Sequence, residues 1–119
     1  MEDKEHQRYI LFELIADSMI DEKDLIRTIW RNLFQLYGDV GASNTGLWLV
    51  EYEKNKYGII RTNDHAVTMI KATLAIIRQV NGIKCIFSVK GVSGTIKSLK
   101  EKHLSKVMGV DEEPISDSQ

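Results

Sequence analysis

The sequence predicts an α+β fold in which the element order βαββαβ forms a four-stranded antiparallel sheet with two helices on one face. Three observations support this prediction. Apolar residues alternate with a period of two in some segments and recur at helical spacing in the long segments between them. The first strand is apolar on both faces, so a C-terminal helix is expected to cover the second sheet face. The length of 119 residues fits one domain with its own core.

The first strand and the first helix have the clearest patterns. RYILFELIA, residues 8–16, is rich in aromatic and β-branched residues and places apolar side chains on both faces of a strand. DEKDLIRTIWRNLFQLYG, residues 21–38, has apolar residues at helical spacing and acids in its first turn. Gly38 is expected to end this helix, and the glycine-rich DVGASN after it is expected to form a turn.

The later segments complete the predicted order. TGLWLVEYEK and YGIIRT predict the two strands of a hairpin. DHAVTMIKATLAIIRQV predicts the second helix, with Asn81 and Gly82 as its left-handed stop. IKCIFSVKG alternates as the last strand, and a final helix is expected from near Ser93 to about Val107. Together these elements predict a ferredoxin-like or RRM-like sandwich whose second sheet face is covered by the C-terminal helix.

The folded domain is expected to span residues 8–108. It lies between a flexible N-terminus, 1–7, and an acidic, disordered tail, 109–119. The sequence has no signal-peptide pattern and no apolar run of membrane-spanning length, and the one cysteine, Cys85, excludes an internal disulfide. These features predict a cytosolic or nuclear location, and we expect the cytoplasm.

Charge is distributed unevenly, although the formal net charge is −1. Residues 83–109 carry six lysines and one acid, whereas residues 1–24 carry eight acids and three bases. This segregation predicts a basic face that binds an anionic partner. A solvated, lysine-rich helix face would explain the charge equally well. The charge alone therefore does not distinguish a binding surface from a solvated one, and the motifs are needed for that.

The sequence lacks the common catalytic and metal-binding motifs. The histidines His6, His65 and His103 show no His-Glu-x-x-His spacing, and there is no second cysteine, which argues against a zinc site. No G-x-S-x-G elbow activates a serine, and no pair of acids lies on adjacent core strands. We expect no catalytic residue in this chain.

The segment KGVSGTIK, residues 90–97, predicts an anion site. It places glycines and hydroxyl side chains where a strand is expected to enter a helix, so that backbone amides and hydroxyls cradle a phosphate beside two lysines. The residues are Lys90, Gly91, Ser93, Gly94, Thr95 and Lys97. A flexible turn with a serine cap is the structural alternative. The G-x-x-G spacing also matches KH domains, but the surrounding element order differs.

Four motifs, in order, resemble one protein family. RYILFEL, LYGDVG, YGIIRT and VKGVSGTIK resemble the motifs of protein component 2 of archaeal and eukaryotic ribonuclease P. The resemblance spans residues 8 to about 105, and the short loops make the chain more similar to the archaeal members.

The resemblance implies a subunit of the ribonucleoprotein endoribonuclease that removes the 5′ leader of precursor tRNA. In that family the RNA performs the cleavage with bound Mg²⁺, and the protein pairs with component 3, a TIM-barrel-like subunit. Two such pairs can join through component 2. This chain is therefore expected to bind no cofactor. It is expected to contact ribonuclease P RNA directly and precursor tRNA through the holoenzyme.

The motifs and the resemblance together predict two sets of contact residues. The residues expected to contact RNA are Arg8, Arg61, Lys90, Ser93, Gly94, Thr95, Lys97 and Lys100. Apolar residues of the first two helices are candidates for contacts with other proteins, namely Leu25, Phe34, Met69 and Ile76, with burial in the core as the alternative for all four. Tyr9, which lies in a matched motif, can equally belong to the core.

Two other functions remain open for this fold. An acylphosphatase-like enzyme would use the glycine-rich segment to bind phosphate, although such enzymes place their phosphate loop after the first strand, where this chain has IADSMID. A ligand-sensing regulatory domain would instead form a dimer and bind a small metabolite.

Overall fold

The computed structural model describes residues 6–107. The predicted acidic tail, 109–119, lies outside the described residues, as does the predicted flexible N-terminus, 1–7, except for its last two residues. The strands are β1 (Gln7–Ala16), β2 (Trp48–Glu53), β3 (Tyr57–Asn63), β4 (Gln79–Val80) and β5 (Ile83–Ser93). The helices are α1 (Glu22–Ser43), α2 (Val67–Ile76) and α3 (Ile96–His103), with short 3₁₀ turns at Asp64–Ala66 and Leu104–Lys106.

The strands form one antiparallel sheet in the order β2-β3-β1-β5-β4. The predicted α+β class and the ferredoxin-like arrangement are confirmed, but the sheet has five strands where four were predicted, because a short strand lies between α2 and the last strand. β1 lies at the centre and pairs with β3 on one side and β5 on the other.

The fifth strand, β4, corrects the predicted end of the second helix. α2 ends at Ile76, and the segment after it pairs with the start of β5. Asn81 and Gly82 have φ angles of 52° and 82°, as a two-residue hairpin turn with the twist of the strands requires. They therefore connect two strands and do not stop a helix. This pairing buries Val80 completely in the core.

The predicted end of the first helix at Gly38 is also wrong. Gly38 has φ 74° and ψ 176°, which kinks the helix, but helical structure resumes and continues to Ser43. The DVGASN segment is thus helical up to that residue and not a turn. Ala42 lies fully buried in the core, and its burial gives this last part of α1 a tertiary anchor.

α1 and α2 pack on one face of the sheet and form the larger core. Ile10, Phe12 and Leu14 of β1 point to this side and pack among buried residues that include Ile29 and Leu33 of α1. Because alternate residues of a strand point to opposite faces, the residues between them must be covered from the other side.

α3 covers that second face, as the double-sided first strand predicted. Leu99 of α3 and Val107 after it pack with Leu11, Tyr57 and Ile59 in a second buried cluster. Each of these side chains has less than a tenth of its surface exposed.

The beginning of α3 differs from the prediction. β5 continues to Ser93, and α3 starts at Ile96 with Thr95 as its N-cap. The Thr95 hydroxyl accepts a hydrogen bond of 3.1 Å from the Ser98 N–H. The first half of the predicted phosphate-binding segment is therefore strand.

Gly91 lies within β5, where α3 crosses it. It stands opposite Leu11 of β1, and a Cβ at this position would overlap the ring of His103. The glycine therefore allows the end of α3 to approach the sheet, and this packing explains its presence without a bound anion.

An ion pair attaches the middle of α3 to β2. Lys100 Nζ lies 3.0 Å from Glu51 Oε1, and the Tyr57 hydroxyl donates a hydrogen bond of 2.6 Å to Glu51 Oε2. Burial alone would raise the pKa of Glu51, but the hydrogen bonds from Tyr57 and Lys100 and the Lys100 charge outweigh it and lower the pKa below its usual 4.5. Burial and the bond to this carboxylate raise the pKa of Tyr57.

We predict that Gly91→Ala destabilises the fold by about 2 kcal/mol, because an added methyl group forces the His103 ring away from the sheet. Chemical denaturation measures the change. Gly94→Ala is the matched control, since the nearest atom to its Cβ is Arg8 Nη1 at 3.7 Å. An equal loss in both variants would contradict the packing role of Gly91.

We predict that Glu51→Gln lowers the free energy of unfolding by about 1 kcal/mol at pH 7. Because folding lowers the pKa of Glu51, its contribution is present above pH 4.5 and is lost as the pH falls through the folded-state pKa. Denaturation of wild type and variant between pH 7 and pH 3 should therefore converge at the acidic end. Glu53→Gln, at an exposed position of the same strand, is the control. A difference that stays constant with pH would argue against the ion pair.

Candidate functional site

Five of the predicted RNA-contact residues lie together where β5 leads into α3. Ser93 ends β5, Gly94 and Thr95 form the connection, and Lys97 is exposed in the first turn of α3. Arg8 approaches from the start of β1, since its Nη1 lies 3.7 Å from the position of a Cβ on Gly94. These five residues are called the turn cluster below.

The turn cluster presents positive charge and hydroxyl groups to solvent. Arg8 Nε lies 3.7 Å from Asp64 Oδ1, an ion pair between partly exposed groups that water and salt screen. Within residues 6–107, Lys97 forms no ion pair. The Thr95 oxygen accepts the capping hydrogen bond, and its O–H can still donate to a ligand. The arrangement offers the positive charge and the hydrogen-bond donors that phosphate recognition requires.

Arg61 lies near the turn cluster, on β3. It stands opposite Tyr9 of β1, which in turn stands opposite Ser93 of β5. The Nε of Arg61 is buried and has no hydrogen-bond partner among the described residues. A buried N–H donor without a partner costs about 1–3 kcal/mol.

Lys90 and Lys100 were predicted to contact RNA, but both are engaged within the chain. Lys90 Nζ lies 3.4 Å from Oε1 of Glu13, a carboxylate with almost no exposed surface. Lys100 pairs with Glu51 as described above. Their charges are thus compensated by the protein itself, in contrast to Lys97, and Lys100 helps to hold α3 on the sheet.

The end of α3 adds two exposed lysines, Lys102 and Lys106. Burial of its ring, together with these two ammonium groups, lowers the pKa of the adjacent His103 from its usual 6.5. Lys106 Nζ lies 2.8 Å from His103 Nδ1. His103 is therefore neutral at pH 7 and adds no charge to the basic surface.

The residues predicted to contact other proteins are in different environments. Leu25 is fully buried in the larger core, so its prediction as a surface contact is wrong: it lies on the stripe of α1 that faces the sheet. Met69 is half-buried, whereas Phe34 and Ile76 are 40% and 49% exposed.

An aromatic groove that the sequence analysis missed lies between α1 and β2. It has a volume of about 260 Å³, and Ile26, Trp30 and Trp48 are among its lining residues. Phe34 extends it, with its ring centroid 5.7 Å from that of Trp30. The alternation of side chains in β2 could have predicted that Trp48 is exposed. Leu49 packs on the core, so Trp48 beside it points the other way, and it is 62% exposed.

Within residues 6–107, no three or more His, Cys, Asp or Glu side chains lie close enough together to hold a metal ion. In the same part of the chain, no helix has both the length and the apolar character needed to cross a membrane.

Comparison with known proteins supports the resemblance noted from the motifs. The model of the Rpp14/Pop5 family matches residues 8–104. Ribonuclease P protein component 2 of Pyrococcus horikoshii is 34% identical over 104 residues, which cover 87% of each chain. The protein of the same name from Archaeoglobus fulgidus is 35% identical over 101 residues, covering 85% of this chain and 91% of the relative.

The fold also has a solved counterpart. A chain in the cryo-EM structure of yeast ribonuclease MRP superposes with a TM-score of 0.64, covering 80% of this chain and 79% of that chain. At 11% identity, this similarity supports the fold alone. Since the family model spans nearly all of the described residues and the relatives exceed 30% identity over most of both chains, the chain belongs to the Rpp14/Pop5 family.

Proposed function

We propose that this chain is a protein subunit of ribonuclease P that binds and positions the RNA of that ribonucleoprotein. Membership of the Rpp14/Pop5 family and the shared name of its relatives support the assignment. The observation that carries the RNA-binding role is the turn cluster, where Arg8 and Lys97, which has no ion-pair partner within residues 6–107, flank a connection with hydroxyl side chains.

The proposed contact is with RNA phosphates. Lys97 and Arg8 supply charge, and Ser93 and Thr95 supply hydroxyl donors, which matches the way proteins hold nucleic-acid backbones without reading sequence. Arg61 extends this surface across β1 to β3. Lys90 and Lys100 contribute mainly to the fold, because their ammonium groups lie next to carboxylates of the chain.

In this proposal, the cleavage chemistry belongs to the RNA and its Mg²⁺. The holoenzyme removes the 5′ leader of precursor tRNA as an endoribonuclease in the cytoplasm. This chain contributes no catalytic side chain and binds no cofactor. It accelerates cleavage by holding the RNA in its active arrangement, an effect of positioning.

The aromatic groove is the proposed contact for component 3. Exposed tryptophan and phenylalanine side chains bury a large area at little cost in conformational entropy, and such residues dominate protein interfaces. Trp30, Phe34 and Trp48 form such a surface between α1 and the edge strand β2. Two pairs of component 2 and component 3 then join through this chain into a heterotetramer.

We predict that the chain raises precursor-tRNA cleavage by ribonuclease P RNA with purified component 3. Arg8→Gln with Lys97→Gln should weaken RNA binding by roughly tenfold at physiological salt, because two phosphate contacts are lost. Lower salt or higher protein concentration should restore cleavage. The matched control is Lys54→Gln with Lys56→Gln, which removes the same charge from exposed positions around the β2–β3 turn.

Two results would contradict the proposal. Cleavage that is unchanged by the wild-type chain would remove its role in ribonuclease P. Equal loss in both double variants would show that net charge, and not the turn cluster, determines RNA binding. Hydrolysis of an acyl phosphate by the chain alone would support the enzyme alternative.

We predict that Phe34→Ala weakens binding to component 3 by roughly thirtyfold, the effect of losing an aromatic contact of about 2 kcal/mol. Isothermal titration calorimetry measures the affinity. Val40→Ala, at a 75% exposed position of the same helix, is the control and should bind like wild type. Wild-type affinity in the Phe34 variant would place component 3 elsewhere.

A further inference from the structure

A second groove, lined mainly by polar residues, lies between α1 and the segment that follows α2. It is on the face of the sheet that α1 and α2 cover. It has a volume of about 300 Å³. Arg31, Asn32 and Gln35 line it from α1, and Arg78 and Gln79 line it from the segment after α2. No carboxylate is among its lining residues. We call it the arginine groove.

The two arginines of this groove have no acidic partner in the described part of the chain. Within residues 6–107, neither Arg31 nor Arg78 forms an ion pair, whereas Arg8 and Arg27 each lie beside an aspartate. Two guanidinium groups thus line one concave surface that has no carboxylate among its lining residues. An anion bound there would compensate their charge and receive several hydrogen bonds.

The groove is held in place by hydrogen bonds at its edges. Arg78 Nη1 donates to the Ala75 carbonyl at 2.6 Å, and the Arg78 carbonyl accepts from the Cys85 N–H at 2.9 Å. On α1, the Asn32 side-chain amide donates to the Thr28 carbonyl at 2.9 Å, which leaves its oxygen able to accept. The groove thus combines cationic donors with amide groups that can both donate and accept.

This composition fits an RNA backbone better than a protein surface. The centres of protein interfaces are apolar and aromatic, as in the aromatic groove next to β2. Protein–nucleic acid interfaces are polar and positively charged, and arginine forks bind phosphate oxygens in pairs. The amides of Gln35 and Gln79 can bond to ribose hydroxyls or base edges beside the phosphate.

The arginine groove is far from the turn cluster. Arg8 lies at the start of β1, whereas Arg78 bonds to Cys85, which stands opposite Ala16 at the end of β1. Eight residues of strand separate these ends, a distance of about 27 Å. One phosphate therefore cannot bind at both places.

We propose that the arginine groove is a second binding site for RNA phosphodiester, so that the chain holds RNA at both ends of its sheet. This inference rests on the proposed function, since it deepens the RNA-positioning role. It assigns Arg31 and Arg78 as binding residues, with Asn32, Gln35 and Gln79 as their polar neighbours.

The test is the salt dependence of RNA binding. The complex of this chain with component 3 is titrated with an archaeal ribonuclease P RNA transcript at several KCl concentrations. Each phosphate contact contributes about 0.7–0.9 to the slope of log Kobs against log salt. Arg31→Gln with Arg78→Gln should therefore reduce the slope by about 1.4–1.8, the sum for two contacts. Lys54→Gln with Lys56→Gln, the charge-matched control, should leave the slope unchanged.

A separate variant keeps the test valid if Arg78→Gln lowers stability through its lost bond to Ala75. Arg31→Gln alone should then reduce the slope by about 0.7–0.9. Thermal denaturation of each variant identifies that case.

Three outcomes would overturn the inference in distinguishable ways. If the turn-cluster variant loses slope but the Arg31 and Arg78 variant matches the control, the groove binds no RNA and the proposed function stands. If the Arg31 and Arg78 variant loses affinity for component 3 with an unchanged slope, the groove binds protein carboxylates. If the wild-type complex shows no salt-dependent RNA binding, the proposed function and the second site both fail.

Discussion

The structure depends on one strand that is buried on both faces. β1 pairs with β3 and β5, and it places Phe12 in the larger core and Leu11 in the smaller one. A strand of this kind requires an apolar layer on each side of the sheet. α1 and α2 form one layer, and α3 forms the other. The covered sheet face leaves little room for the base stacking seen in open RRM-like sheets, so the proposed RNA contacts lie at the ends of the sheet.

The basic residues divide into two groups with different tasks. Lys90 and Lys100 lie beside carboxylates, and Lys100 holds the covering helix on the sheet. Lys97 and Arg31 have no acidic partner within residues 6–107. A net charge of −1 therefore conceals local cationic surfaces. This division is consistent with the proposed contact between a nearly neutral protein and RNA.

The glycine-rich segment shows where a sequence pattern was ambiguous. KGVSGTIK predicted a phosphate loop at a helix start, but Gly91 lies in a strand under the ring of His103. Only the part from Ser93 onward forms the exposed turn cluster. Likewise, Leu25 belongs to the face of α1 that packs on the sheet, although helical spacing alone left its exposure open. The contacts at these positions depend on how separate elements pack against each other. The periodicity of the sequence carries no information about such contacts.

The sequence by itself determined the order of the elements, the need for a covering helix and, through four motifs, the family, because these follow from local periodicity and local composition. It also located the basic segment. Only the tertiary structure decided that Asn81 and Gly82 turn a hairpin, that Lys90 meets Glu13 and that Arg31 shares a groove with Arg78. Each of these depends on where a residue meets a partner from another element, and such meetings are set by the packing of the whole chain.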